Sequence, residues 1–194
     1  IELIDDNNLK CRFAIFKNEN LKLASGEVLK NFKLAFNTFG SLNENKTNAI
    51  LICHALTGDQ YVTGHNPITG KDGWWARMVG PDKPIDTNKF FVICSNVLGG
   101  CAGSTGPREK NDSGQDIYGA DFPSVTIQDM VNAQSKLLDA LKIDQLFSVV
   151  GGSMGAMQAL QWSIDFPDKI KSIIHIAGAL KHSAQNIAFH EVGR

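Results

Sequence analysis

Four short, continuous runs of apolar residues constrain the fold of this 194-residue chain more than any other feature. A short run that is almost entirely apolar indicates a β-strand covered on both faces, as in a parallel α/β sheet. Apolar residues at helical spacing over 126–142 and 155–166 predict two helices among the later runs. Strands that alternate with helices predict an open, mostly parallel sheet. His175, within the last run, is therefore expected to be a core or wall residue. The runs cover residues 49–53, 90–94, 146–150 and 172–177.

The chain before the first run predicts an antiparallel β segment. Residues 11–17 and 21–23 flank Asn18-Glu19-Asn20, which suits a hairpin turn. Residues 29–39 alternate in places between apolar and polar and predict a third strand. The expected fold is therefore α/β, with a mostly parallel central sheet that is entered through an antiparallel amino-terminal segment.

Charge and composition exclude several classes of function. The chain has 19 Lys and Arg against 20 Asp and Glu, a net charge of −1, whereas a general nucleic-acid binder usually carries a basic excess. No apolar run approaches the roughly 20 residues of a membrane span, and the amino end lacks the basic region of a secretion signal. The four cysteines form no C-x-x-C pair, and Cys53 and Cys94 suit buried thiols of a reducing compartment. We expect a cytoplasmic protein with reduced thiols, no metal, no nucleic-acid partner and no membrane partner.

The strongest functional signal is Gly151-Gly152-Ser153-Met154-Gly155, which matches G-x-S-x-G. An apolar strand precedes it and a helix follows it, which is the context of a nucleophile elbow. In such an elbow the serine has strained backbone angles, and the flanking glycines avoid clashes with the neighbouring strand and helix. We predict that Ser153 is a catalytic nucleophile. The alternative is a glycine-rich turn in which the serine is incidental.

A second signal is the loop His54-Ala55-Leu56-Thr57-Gly58, directly after the first apolar run. In this architecture one backbone N–H of an oxyanion hole comes from such a loop, and the other comes from the residue after the nucleophile, here Met154. Two N–H groups of this kind would stabilise the tetrahedral intermediate of acyl transfer. The alternative is that His54 and Gly58 only turn the chain.

The acid and base of a serine triad are not apparent in the sequence. The triad order of such enzymes is Ser, then Asp or Glu, then His. Asp165 or Asp168 with His182 or His190 satisfies the order but not the placement, because the two aspartates bracket the end of the helix after the elbow. The acid and base should follow later strands, and one predicted strand follows the elbow. We therefore expect the triad Asp and His to lie outside these 194 residues.

From about residue 34 to its end, the chain resembles the homoserine O-acetyltransferase family of the α/β-hydrolase fold. The shared motifs are far more specific than the elbow alone, and they include the loop after the first run and the elbow itself. They lie at residues 52–59, 73–75, 91–101, 103–107 and 150–155.

The resemblance implies an activity and roles for individual residues. Ser153 would be the nucleophile that accepts the acyl group, and Leu56 and Met154 would supply the oxyanion N–H groups. The enzyme would transfer an acetyl group from acetyl-CoA, a co-substrate, to the hydroxyl of L-homoserine through an acyl-serine intermediate, in methionine biosynthesis. No bound cofactor is implied. Related members use succinyl-CoA or serine, and the complete enzyme would be a homodimer.

The resemblance also implies a domain organisation. Residues 1–178 would form the amino-terminal part of the hydrolase core, and residues 179–194 would begin a helical lid that Ser183 caps. The carboxyl-terminal strands and the rest of the lid would be missing, and the triad Asp and His and a substrate-binding Arg would lie beyond Arg194. Two alternatives stay open: a serine esterase of the same fold, and an inactive truncated fragment.

Overall fold

The computed structural model describes residues 1–111, 114 and 116–193. Three α-helices lie in this part of the chain: α1 (Ile127–Ala140), α2 (Met154–Asp165) and α3 (Ala184–Gly193), with short 3₁₀ helices at Gly119–Asp121 and Pro167–Lys169. The strands are β1 (Glu2–Asp6), β2 (Cys11–Ile15), β3 (Asn20–Lys22), β4 (Val28–Lys30), β5 (Lys33–Phe39), β6 (Ala49–Cys53), β7 (His65–Asn66), β8 (Lys71–Asp72), β9 (Val79–Gly80), β10 (Ile85–Asp86), β11 (Phe91–Ser95), β12 (Ser148–Gly152) and β13 (Ile173–Ile176).

Seven of these strands form one sheet, in the order β1-β2-β5-β11-β6-β12-β13. The strands β11, β6, β12 and β13 are parallel to one another, and β1, β2 and β5 extend the sheet in antiparallel pairing. Leu51 of β6 lies at the centre, opposite Ile93 of β11 and Val149 of β12. The predicted fold class, parallel central strands with an antiparallel amino-terminal segment, is confirmed.

The predicted amino-terminal hairpin is wrong in its pairing. Strand β2 pairs with β1 and β5, whereas β3 pairs with β4 in a separate two-stranded ladder. The predicted third strand is divided between β4 and β5, because Asn31 adopts a positive φ of 51° between them. The acidic amino end lies in the predicted β segment, where no individual strand was assigned, and it forms β1 at the edge of the sheet.

Alternate residues of the central strands pack into two separate cores. Leu51, Ile93 and Val149 face the helices, together with buried residues of α1 and α2. Ile50 and Ile52 face the opposite side, where they pack among buried residues from the long segment between β6 and β11. Continuous apolar runs are required because both faces are covered.

The two predicted helices are present and begin where the sequence indicated. The side chain of Thr126 accepts a hydrogen bond from the backbone N–H of Asp129, and the Asp129 carboxylate accepts one from the N–H of Thr126, so α1 starts with a capping box. Helix α2 packs on β12, β13 and β6, and its small buried residues Ala156 and Ala159 allow a close approach to the sheet.

The last strand differs from its prediction. Strand β13 is at the edge of the sheet, and its side chains are largely exposed, with Ile174 at 49% and Ile176 at 41%. His175 is exposed as well, so its prediction as a core or wall residue is wrong. The apolar run predicted the strand correctly, but burial depends on neighbours that β13 does not have in the described part of the chain.

Helix α3 follows β13 and buries none of its described residues. Its predicted cap is confirmed, because the hydroxyl of Ser183 accepts a hydrogen bond of 3.2 Å from the N–H of Asn186. The assignment of residues 179–194 to a lid stays a prediction. Across the described residues, the helices are too short or too polar to cross a bilayer.

Replacement of Asp129 should destabilise the fold, because this buried carboxylate accepts from the N–H of Ala24, the N–H of Thr126 and the hydroxyl of Thr126. We expect Asp129→Ala to lower the free energy of unfolding of the full-length protein by about 2–4 kcal/mol. Urea unfolding measures this. The control is Asp139→Ala on the same helix, which removes a partly exposed pair with Lys169 and should cost less than about 1 kcal/mol. Equal losses in the two variants would contradict the capping role.

Candidate active site

Ser153 lies at the sharp turn between β12 and α2. Its φ of 57° and ψ of −121° are unusual for a residue with a side chain. Backbone strain of this kind persists where the surrounding structure imposes it, and it is frequent at catalytic residues. The strain predicted from the G-x-S-x-G pattern is therefore present.

Two glycines make this turn possible. A Cβ atom on Gly151 would lie 2.0 Å from the carbonyl oxygen of Gly155, and a Cβ on Gly155 would lie 2.0 Å from the carbonyl oxygen of Cys53. Both distances are impossible for real atoms. Gly152 is different, since its nearest atom, the carbonyl oxygen of Ile176, would be 3.9 Å away. The steric requirement predicted for the flanking glycines therefore applies to Gly151 and Gly155 and not to Gly152.

The Ser153 hydroxyl is exposed and forms no hydrogen bond within residues 1–111, 114 and 116–193. The backbone of the residue is nevertheless fixed, because its N–H donates to the carbonyl oxygen of Ile176 at 3.0 Å. A held backbone with an available hydroxyl is the arrangement that a nucleophilic serine requires.

The backbone N–H of Met154 points out of the first turn of α2. The carbonyl oxygen of Ser153, in the same peptide group, accepts from Ala156 at 3.0 Å and Met157 at 3.2 Å, and is therefore directed into the helix. Because a trans peptide group is planar, the N–H on its other side points the opposite way. No partner for this N–H is found in the described part of the chain. The helix dipole adds positive potential at this end.

The backbone N–H of Leu56 is oriented by the same principle. The carbonyl oxygen of Ala55, in the same peptide group, accepts from the N–H of Gly58 at 2.9 Å and lies 2.7 Å from Nδ1 of His54. These two contacts hold the oxygen on one side, so the Leu56 N–H points to the other side. It too lacks a partner among the residues that the structure describes.

His54 has a defined tautomer. A carbonyl oxygen can only accept, so Nδ1 must carry the proton that it shares with Ala55, and Nε2 accepts from the backbone N–H of Val97 at 3.1 Å. The Asn96 amide lies 3.3 Å from the same Nε2. The ring is 1% exposed, and this burial lowers the pKa of His54 and favours the neutral form. His54 therefore does more than turn the chain, since it orients the peptide group that carries the Leu56 N–H.

The three residues predicted for the site lie together. Ser153, Leu56 and Met154 line one cavity of about 560 Å³. The rest of its lining is mostly apolar and comes from the start of α1, from α2 and from the segment before and within α3. These residues are Val125, Thr126, Ile127, Met130, Met157, His182 and His190.

The candidate acids and bases are not assembled into a triad. The rings of His182 and His190 stack on each other at 5.1 Å and line the Ser153 cavity, which the sequence did not indicate. Neither ring hydrogen-bonds to the Ser153 hydroxyl in the described structure. Asp165 is the last residue of α2, where it accepts from Gln161, and Asp168 lies in the 3₁₀ helix that follows.

No metal centre is formed by the described residues: no three His, Cys, Asp or Glu side chains lie close enough to share an ion. Cys53 and Cys94 are free and buried, and burial raises the pKa of the Cys53 thiol to about 12. These thiols are therefore poor nucleophiles, and the assignment of Ser153 as the nucleophile stays a prediction.

Known proteins share this architecture. Residues 48–190 match a family model described as alpha/beta hydrolase fold. The chain is 60% identical over 178 residues to the homoserine O-acetyltransferase of Acidiphilium cryptum, a match that covers 91% of this chain and 47% of that protein. The crystal structure of homoserine O-acetyltransferase from Bacillus anthracis superposes with a TM-score of 0.83 at 30% identity, over 90% of this chain and 48% of that one.

A solved esterase, E22, superposes equally well. Its TM-score is 0.85 at 34% identity, over 94% of this chain and 51% of the esterase. The chain spans about half the length of the curated relatives it matches. The resemblance to homoserine O-acetyltransferases is thus confirmed, and the chain belongs to the α/β-hydrolase fold family.

Proposed function

We propose that this chain carries the acylation site of an acyltransferase that moves an acetyl group from acetyl-CoA to the hydroxyl of L-homoserine. The main support is the exposed hydroxyl of Ser153 at a strained turn beside the N–H groups of Leu56 and Met154. None of these three groups has a hydrogen-bond partner among the described residues. The identity of about 60% to a homoserine O-acetyltransferase favours this reaction over other uses of the same fold. The complete enzyme would be a cytoplasmic homodimer serving methionine biosynthesis.

In the first step the Oγ of Ser153 attacks the thioester carbonyl carbon of acetyl-CoA and gives its proton to a general base. The oxygen of the tetrahedral intermediate would accept from the N–H groups of Leu56 and Met154, each worth about 3 kcal/mol of transition-state stabilisation. The C–S bond then breaks, the CoA sulfur takes a proton, and acetyl-Ser153 remains.

In the second step the homoserine hydroxyl loses its proton to the base and attacks acetyl-Ser153. The same two N–H groups would bind the oxygen of the new intermediate. Collapse releases O-acetylhomoserine and returns the proton to the Ser153 oxygen. In this proposal the base, its aspartate and a carboxylate-binding arginine come from a part of the enzyme outside these 194 residues. The isolated piece should therefore be nearly inactive.

A serine esterase is the second candidate, because the chain is also similar in structure to esterase E22. The first step would be the same, and water would replace homoserine as the acceptor. The two candidates therefore differ only in what attacks the acyl-serine.

Replacement of the nucleophile tests the shared step. We expect Ser153→Ala in the full-length enzyme to lower kcat by at least about 10³-fold, because the variant lacks the hydroxyl that carries the acyl group in the proposed intermediate. Initial rates of CoA release measure this, and an unchanged melting temperature shows that the fold is retained. Ser163→Ala is the matched control, since that hydroxyl donates to the carbonyl oxygen of Leu160 within α2. A Ser153→Ala variant with near wild-type kcat would exclude the proposed nucleophile.

The acceptor separates the two candidates. We expect thiol release from acetyl-CoA by the full-length enzyme to depend on added homoserine, rising at least about 10-fold at saturation, because a transferase must disfavour water as acceptor. The thiol is followed with a chromogenic disulfide, and O-acetylhomoserine is identified by mass spectrometry. Thiol release at the same rate without homoserine, with acetate as the product, would favour the esterase.

A further inference from the structure

We propose that Gln158 is a positioning residue that ties together the two backbone segments that supply the oxyanion N–H groups. The inference rests on the proposed function, because those N–H groups matter only if Ser153 is acylated. The observation behind it is a buried amide that contacts both segments at once.

The side-chain amide of Gln158 donates in two directions. Its Nε2 lies 3.3 Å from the carbonyl oxygen of His54 and 3.4 Å from the carbonyl oxygen of Met154. The side chain is fully buried. The first contact reaches the loop after β6, and the second reaches the first turn of α2.

These two carbonyls belong to the segments that the proposed chemistry must hold in register. The His54 carbonyl begins the loop whose Leu56 N–H is one donor, and Met154 itself carries the other donor. The NH₂ group of Gln158 thus links the loop after β6 to the start of α2. These two segments are far apart in the sequence. Catalysis by fixed donors depends on such prior positioning, since a misplacement of about 1 Å can cost about 100-fold in rate.

A second buried amide holds Gln158 in this orientation. This amide is the side chain of Gln134, whose Nε2 donates to Oε1 of Gln158 at 2.8 Å. Oε1 of Gln134 in turn accepts from the indole N–H of Trp162 at 2.9 Å. An indole N–H can only donate, so it determines which end of Gln134 is the acceptor, and Gln134 in turn determines which end of Gln158 is the donor. Reversal of either amide would leave buried groups without partners, which is costly.

Two titratable groups adjoin this network, and burial favours the neutral form of each. The Cys53 thiol, 3.9 Å from Oε1 of Gln134, has a pKa raised to about 12 by burial. The buried His54 ring has a lowered pKa and is neutral at neutral pH. A pH dependence introduced at position 158 would therefore be a property of the new side chain.

The test measures acylation of the full-length enzyme by p-nitrophenyl acetate, which requires neither acetyl-CoA nor homoserine. Active sites are counted by end-point labelling with a fluorophosphonate, and Ser153→Ala is the unlabelled reference. For Gln158→Met we expect the acylation rate constant per labelled site to fall about 10- to 100-fold, with KM changed less than about 3-fold. Gln161→Met, on the same helix but bonded to Asp165, should leave both unchanged.

Gln158→Glu keeps the test decisive even if the methionine variant folds poorly. A buried carboxyl group is neutral below its raised pKa and can then donate its O–H to the same carbonyls. The ratio of its acylation rate constant to that of the wild type should approach one at low pH and fall as pH rises. A ratio that is flat across pH, or a Gln158→Met rate constant within about 3-fold of wild type, would overturn the proposal. Failure of the wild type to label at Ser153 would instead refute the proposed function, and this inference with it.

Discussion

The close approach of α2 to the end of β6 is the constraint on which the candidate site depends. Gly155 lies so near the carbonyl oxygen of Cys53 that a methyl group could not be added. Only this proximity allows a side chain of α2, Gln158, to reach the carbonyl of His54. The strained turn at Ser153 and the outward N–H of Met154 follow from a helix that starts directly against the strand, and the same proximity brings this N–H near the loop that carries Leu56.

Features that depend on nearby residues could be predicted from the sequence. The apolar runs gave the positions of β6, β11 and β12, because strands covered on both faces are made mostly of apolar residues. The capping box at Thr126 and the elbow at Ser153 are equally local, since each requires particular residue types at fixed short spacing.

Features that depend on distant contacts could not be predicted. The sequence left two interpretations of His54 open, because the ring is held by Val97 and Asn96 from a different loop. The residue type of Gln158 gave no signal of a role, since a glutamine in a helix is ordinarily exposed. Its position among alanines that face the sheet is the one hint that it is buried. The predicted burial of His175 was wrong for a related reason, because the burial of a strand depends on the elements that pack beside it.

The order of strands in the sheet has a consequence for how the protein is made. Ile50 in β6 pairs with Ser148 in β12, which is synthesised roughly 100 residues later. At ordinary rates of translation this separation corresponds to about 5–20 s. During that interval one hydrogen-bonding edge of β6 is open, and an open apolar edge can pair with other chains. A ribosome that slows between β11 and β12 would prolong the time for which this edge of β6 is unpaired.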